Sequence, residues 1–340
     1  MFPIHLFKIE RAALKNVSSW HIHFGAFPFK PATAMVGDDD TAFPGAIIPL
    51  HYHFNMLNDQ IRTGRFRQAI QAVVAPSSKV LELGGGTGVL SFFAAQRASK
   101  VWCVEKNTEL AREARRFLDM NTHGDRVHVV NADAFEYLPP EPVDVVVCEM
   151  LHVAMLRENQ IGVIERFKQR YLAHFGLPLP LFVPEASIQT VQPVQQNFEF
   201  SGYYAPVPIF RDPYASQAMT LEMGAPVAYS TLRYAAVLPM RFQWQGEIPI
   251  ASSGTLNALR FVTKNILAAP PPLAPSPIKN MLAVPSVHQS SAIEWHNQYL
   301  VMPLASPLEV HVGDVLHLAF SYPAGGTLND LASSLSVAMK

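Results

Sequence analysis

Between residues 51 and 184 the apolar positions switch repeatedly between a helical spacing and short unbroken runs. NMLNDQIRTGRFRQAIQAVV has the helical spacing, with Met56, Leu57, Ile61, Phe66, Ile70 and Val73 available to one broad face. KVLEL then predicts a strand, GVLSFFAAQRA a helix and KVWCVEK a second strand. NTELAREARRFLDMNTHG predicts a helix stopped by Gly124, and RVHVVNAD and VDVVVCEM two further strands. Continuous β-branched runs such as VDVVVC belong to strands covered on both faces, so this half is expected to be an α/β, Rossmann-like domain with a parallel sheet. After FVPEAS (182–187) the period changes to two. In LHLAFSY, Leu316, Leu318 and Phe320 fall on one face, and QYLVMPL and LEVHV look like two more strands. The expected organisation is an N-terminal segment (1–50), a Rossmann-like domain (51–184) and an all-β unit (185–340). APPPLAPSP (269–277) is expected to be a loop within that last unit, and no internal repeat is present.

Composition narrows the classes. At 340 residues, 49% hydrophobic and 16% charged, the chain is long and apolar enough for two packed cores. The 28 prolines concentrate in the second half, which favours strands and loops there. A net charge of −1 supplies no field toward nucleic acid, and no run reaches the ~18 apolar residues that span a bilayer. The opening MFPIHLFKIERAALK lacks the pattern of a secretory leader. GDDDT in the N-terminal segment is expected to be a solvated turn. Cys103 and Cys148 each fall inside a predicted core strand, which fits a reducing cytoplasm. His21/His23 and His51/His53 have no acidic or cysteine ligands beside them, so no metal is expected.

The chemistry starts at KVLELGGGTGVLSFF. A strand ends, Gly84, Gly86 and Gly88 form the turn, and a helix follows at once. The spacing is G-x-G-x-G rather than the dinucleotide G-x-G-x-x-G, because Val89 stands at the last position. Glu82 just upstream suits a cationic ligand better than a pyrophosphate, and S-adenosylmethionine carries both an ammonium and a sulfonium. Glu105 ends the next strand, where a carboxylate can take both ribose hydroxyls. Asp133 ends the third, where its side chain and the Ala134 N–H can read adenine. NAD is the rival ligand.

The helix before this turn, with His53, Met56, Leu57, Asp59, Arg62 and Thr63, resembles the H-x-x-M-L-x-D-x-x-R-T helix of the protein arginine methyltransferase family. Over about 51–160 the likeness also includes two glutamates nine residues apart, Glu149 and Glu158, in EMLHVAMLRE. Beyond 184 it rests on FVPEA and on architecture. The resemblance implies a class I methyltransferase domain followed by a β-barrel-like domain with a dimerisation arm near 196–225, and a homodimer. It implies that Arg62 binds the cofactor carboxylate and that His53 and Met56 line the methionine end. Asp59 is the helix aspartate that pairs with a barrel-loop histidine in the family. Here the family's T-H-W reads Ile293-Glu294-Trp295, with His296 one place beyond. Met150 and Leu151, with Glu294, Trp295 and His296, are the candidate substrate-pocket residues.

The resemblance gives Glu149 and Glu158 the role of a guanidinium clamp, and the chemistry asks for one. A guanidinium presents five donors in a plane and is a weak nucleophile, so a carboxylate on each edge can orient it toward a sulfonium methyl. The expected activity is methyl transfer to a guanidino nitrogen of arginine in a protein or peptide, leaving S-adenosylhomocysteine. Free arginine or a small guanidino metabolite is the alternative acceptor. A non-catalytic S-adenosylmethionine-binding partner of an active enzyme is the reading from another class. Methyl transfer to nucleic acid is not expected, because no basic stripe and no N/D-P-P-Y/F motif follows the fourth strand.

Overall fold

The structure, a computed structural model, describes residues 50–269 and 292–339. The expected N-terminal segment and nearly all of the proline-rich loop lie outside the described residues, as do His21 and His23.

The first elements are helices α1 (Leu50–Asn58) and α2 (Gln60–Val73). One continuous helix was the expectation from spacing. It is broken at Asp59, which takes φ −72°, ψ 87° and N-caps α2 by accepting from Arg62 N (2.9 Å). A short acidic side chain that satisfies an otherwise orphaned N–H stabilises a new start more than it does helix interior. The common apolar face fails with it. Phe66 and Ile70 are buried, whereas Leu57 and Ile61 are exposed.

There follow β1 (Lys79–Leu83), α3 (Val89–Ala95), β2 (Lys100–Glu105), α4 (Thr108–Asp119), β3 (Val127–Asn131), β4 (Val145–Cys148), α5 (Gln160–Phe175) and β5 (Leu181–Val183). The five strands form one parallel sheet in the order β3-β2-β1-β4-β5. The chain builds outward from β1 to β3, then crosses to the other side of β1. Its switch point therefore lies beyond the carboxyl end of β1, where open α/β sheets bind ligands. α4 ends at Asp119, before Gly124, and the Asn107 side chain caps its start on Glu109 N and Leu110 N.

The second half is antiparallel and comprises β6 (Ala186–Gln196), β7 (Glu199–Phe200), β8 (Tyr203–Tyr204), β9 (Ile209–Arg211), β10 (Thr220–Glu222), β11 (Val227–Arg233), β12 (Arg241–Pro249), β13 (Gly254–Ala268), β14 (Ile293–His296), β15 (Tyr299–Val310), β16 (Val315–Pro323) and β17 (Ser336–Met339). Helix α6 (Leu328–Ser334) sits between β16 and β17 behind a Thr327–Asp330 capping box. A seven-stranded sheet curls around the core, with the order β10-β6-β13-β15-β9 and with β11 and β14 at its side. A three-stranded sheet, β12-β16-β17, accompanies it. Leu316, Leu318 and Phe320 are buried on one face of β16, as their alternation predicts. QYLVMPL and LEVHV are not two strands but parts of β15. Its pairing with β13 jumps from Pro303 opposite Ala258 to Leu308 opposite Leu256, so residues 304–307 leave the ladder. Pro303 and Pro307 lack the N–H such a ladder needs.

The segment expected as an arm, 196–225, folds back onto its own sheet. β9 pairs with β15 and β10 with β6, leaving the β7–β8 hairpin with Phe200, Tyr203 and Tyr204 exposed. Among the described residues no helix is long and apolar enough to cross a membrane.

At the turn after β1, a Cβ on Gly85 would meet the buried Cys103 Sγ at 2.3 Å. Gly85→Ala is therefore expected to overpack the sheet and lower unfolding free energy by about 1–3 kcal/mol. Chemical denaturation measures this, and an unchanged midpoint would remove the steric argument.

Candidate active site

The turn after β1 is built for close approach. Gly84 (φ +77°), Gly86 (φ +55°) and Gly88 (φ +81°) occupy the left-handed region. The N–H groups of Gly84 and Gly85 both donate to Val104 O, at 3.0 and 2.8 Å, stitching the turn to β2. Glu105 locks the turn from the other side. Its Oε2 accepts from Gly86 N (2.9 Å) and its Oε1 from Asn107 N (2.7 Å). A Cβ on Gly84 would fall 2.9 Å from Met150 Cγ, and one on Gly86 3.1 Å from His53 Cε1. These glycines thus form a cradle that side chains would close.

The cradle opens into a cavity of about 260 Å³. Of the sequence-predicted cofactor residues, His53, Met56, Arg62, Glu82, Gly84, Gly86, Glu105, Asp133 and Ala134 line it. Gly88 does not, and acts as the left-handed start of α3. Asp133 accepts from Phe135 N (3.0 Å) and pairs with Lys106 (2.8 Å). Partial burial pushes its carboxyl up, but these partners win and hold it below the usual range. Glu82 is fully buried and accepts from Ser91 N (2.9 Å) and the Ser91 hydroxyl. Desolvation still pushes it up to about 8. The donor set fits S-adenosylmethionine: a guanidinium for the carboxylate, carboxylates for ribose and amine, and a mixed wall at Asp133 and Phe135 for the base.

The same cavity carries the glutamate pair. Glu149 and Glu158 line it together with Met150 and Leu151. Glu149 accepts from Arg62 in an ion pair whose two side chains are about nine-tenths buried, while Arg62 also donates to Met56 O (3.3 Å). Burial raises the Glu149 carboxyl above its usual range, opposed by Arg62. Glu158 makes no ion pair among the described residues. Burial, and then repulsion from Glu149, push it up to about 7. Arg62 thus pairs with one of two buried carboxylates, and the other titrates well above its usual range.

The loop between the glutamates is held by the antiparallel half. Ala154, Met155 and Arg157 adopt φ of 59°, 53° and 60°, costly for residues with a Cβ. Backbone bonds from Arg157 N to Gly326 O (2.7 Å) and from Gly325 N to Met155 O (2.8 Å) hold that shape. Ala154 N donates to Thr263 Oγ1 (2.8 Å). His152 packs edge-on against Phe210 at 5.4 Å, and burial lowers its pKa to about 4, so it stays neutral.

Besides Gly88, four predicted residues stand outside the cavity. Asp59 caps α2, as described above. Trp295 is buried against Phe66 (5.9 Å, edge-to-face), so it packs the barrel onto α2. Glu294 pairs with Lys264 at 2.8 Å. His296 lies on β14, where its backbone N–H faces the Tyr214 hydroxyl at 3.4 Å, and burial lowers its pKa. Sequence reasoning passed over Lys106, Asn107, Phe135 and Gln160. Asn107 was findable as a cap two residues beyond Glu105. Gln160 carried no local signal; it is fully buried and accepts from Met150 N (2.8 Å).

Comparison with known proteins agrees with this layout. A family model described as a methyltransferase domain matches residues 80–171. An uncharacterised protein of Methanothermobacter thermautotrophicus is 29% identical over 84% of this chain and 97% of its own. Protein arginine N-methyltransferase 6 of Danio rerio is 34% identical over 38% of this chain and 37% of its own length. The Trypanosoma brucei PRMT1 enzyme–prozyme complex with AdoHcy superposes with a TM-score of 0.62 at 16% identity, over 86% of this chain and 98% of that one. The protein is an S-adenosylmethionine-dependent methyltransferase of the Rossmann-like class. Within that class its likeness runs to the protein arginine N-methyltransferases, in sequence across the cofactor domain and in fold across most of the chain.

The raised Glu158 carboxyl sets a pH dependence. The folded chain holds this proton up to about 7, whereas the unfolded chain releases it near 4.5. Between those values the folded state binds more protons, so unfolding free energy falls as pH rises. Glu158→Gln should flatten the fall between about pH 5 and 8. Urea titrations at several pH values test this, and parallel wild-type and variant curves would refute it.

Proposed function

We propose that the protein methylates a guanidino nitrogen of arginine carried by a protein or peptide. The observation that carries this reading is the buried pair Glu149 and Glu158, one cation short, in the cofactor cavity. A second guanidinium entering between them supplies the missing charge. Its planar donors match two carboxylate edges, and Glu149 already accepts one guanidinium N–H from Arg62.

S-adenosylmethionine supplies an electrophilic methyl on a sulfonium. The chain's own residues do the rest. Arg62, Glu105 and Asp133 hold the cofactor's carboxylate, ribose and base. Glu149 and Glu158 orient the guanidinium and keep positive charge on the nitrogens they face, leaving the third free to attack. The loop's contacts with the barrel exclude water from the clamp. A carboxyl poised at about 7 at Glu158 can accept the proton that leaves the methylated nitrogen and pass it to solvent.

The exposed aromatic hairpin β7–β8 supports a homodimer built on the segment near 196–225, and the two buried cysteines support a reducing, cytoplasmic setting. One observation favours a small acceptor: His152 is turned into the barrel against Phe210, so the middle of the loop offers little surface to a peptide. The same clamp then takes free arginine or a small guanidino metabolite.

Incubation with methyl-labelled cofactor and separate arginine-rich peptide, protein lysate and free arginine distinguishes the acceptors. Glu149→Gln should lower kcat/KM for the working acceptor by about 10²–10³-fold while cofactor binding persists. Full activity in that variant ends the clamp proposal, and labelling of no acceptor ends the arginine reading.

A further inference from the structure

Glu149 directly follows a parallel strand, yet the peptide groups 149–150 and 151–152 beyond it are anchored by side chains rather than by sheet. On one side, Met150 N donates to Gln160 Oε1 (2.8 Å) at the start of α5. On the other, Leu151 O accepts from Asn297 Nδ2 (3.0 Å), just beyond β14. Asn297 Oδ1 accepts from Asn265 Nδ2 (2.8 Å), and Asn265 Oδ1 accepts from the Ser187 hydroxyl (2.7 Å). With its proton so committed, Ser187 Oγ accepts from the Tyr234 hydroxyl (2.8 Å). Tyr234 in turn stands against the Gln160 amide, a looser contact because Gln160 Nε2 makes no bond of hydrogen-bond length among the described residues. The circuit thus begins and ends on consecutive residues after Glu149.

All its side chains are buried, and Gln160, Ser187, Tyr234 and Asn265 fully so. From Tyr234 to Leu151 every donor points the same way, the arrangement in which hydrogen bonds strengthen one another in a low dielectric. A buried amide deprived of its partner costs more than the bond was worth, which resists rotation of the loop. Such a chain is costly simply as core, where apolar side chains would fill the same space.

We propose that Asn297 and Gln160 are positioning residues that fix the peptides on both sides of the Met150–Leu151 pair and thereby aim the Glu149 carboxylate at the acceptor. The proposal rests on the clamp reading above. In it the antiparallel half governs the geometry of a carboxylate belonging to the cofactor half, through Ser187 on β6, Asn265 on β13 and Asn297 beyond β14. A displacement of Glu149 by about 1 Å is enough to cost about 10²-fold in rate.

The test uses the full chain with Asn297→Ala, Gln160→Met and the double variant, and two readouts. Amide hydrogen exchange at Met150 needs no acceptor. It should quicken about tenfold or more in each single variant, while exchange in β1 and β2 stays unchanged. With the working acceptor, kcat should fall about 10–100-fold at unchanged cofactor affinity, and the double variant should lose little more than either single one. In a Glu149→Asp background the Asn297→Ala change should cost almost nothing further. Exchange at Met150 left at the wild-type rate overturns the proposal, as do additive losses or a parallel loss of cofactor affinity. Should Asn297→Ala not fold, Gln160→Met decides by the same readouts from the other end. If the wild type turns over no guanidino acceptor, the clamp reading has failed, and exchange alone judges the circuit.

Discussion

Two carboxylates buried around one guanidinium set the terms for the rest of the molecule. Burial and their mutual repulsion make it costly to charge both Glu149 and Glu158, and Arg62 pairs only with the first. Arg62 stands in the first turn of α2, which restarts at Asp59 with that side chain accepting from the Arg62 N–H. Burial leaves Glu158 in the same cavity without an ion pair of its own among the described residues.

The pair lines one cavity with the candidate cofactor residues, and the sheet arranges this. The order β3-β2-β1-β4-β5 puts the ends of β1, β2 and β4 side by side. The glycine turn, Glu105 and Glu149 consequently face one cavity although they are spread over 65 residues. Glu105 serves two purposes at once. Two backbone N–H groups fix its orientation, and the remaining lone pairs face the ligand space.

The antiparallel half does more than cover this site. Thr263, Asn297 and the Gly325–Gly326 backbone grip the loop that carries Glu149 and Glu158 and hold three residues at positive φ. Thr263 is itself anchored, donating to Gln189 Oε1 (2.6 Å) on β6. A strained loop persists only where its surroundings over-determine it, and here the surroundings come from the other half of the chain.

Much of this was legible along the chain. β-branched runs and the G-x-G-x-G turn specify strand, turn and helix through local sterics, so the sheet of the first half and its ligand edge follow from residues close in sequence. The glutamate spacing brought Glu149 and Glu158 to one cavity because the loop joining them is short. Helical spacing, however, is blind to a cap, because 53, 56, 59 and 62 keep their period straight through the break at Asp59. Nor does it say which side of a helix is covered, so Leu57 and Ile61 counted as core although they are exposed. Trp295, Glu294 and His296 looked like pocket residues by their order in the chain. Only the packing of β14 on α2 turns Trp295 onto Phe66 and gives Glu294 to Lys264. Gln160 and Asn297 had no signature at all. A buried amide earns its place through partners far away in sequence, and tertiary structure alone decides which partners those are.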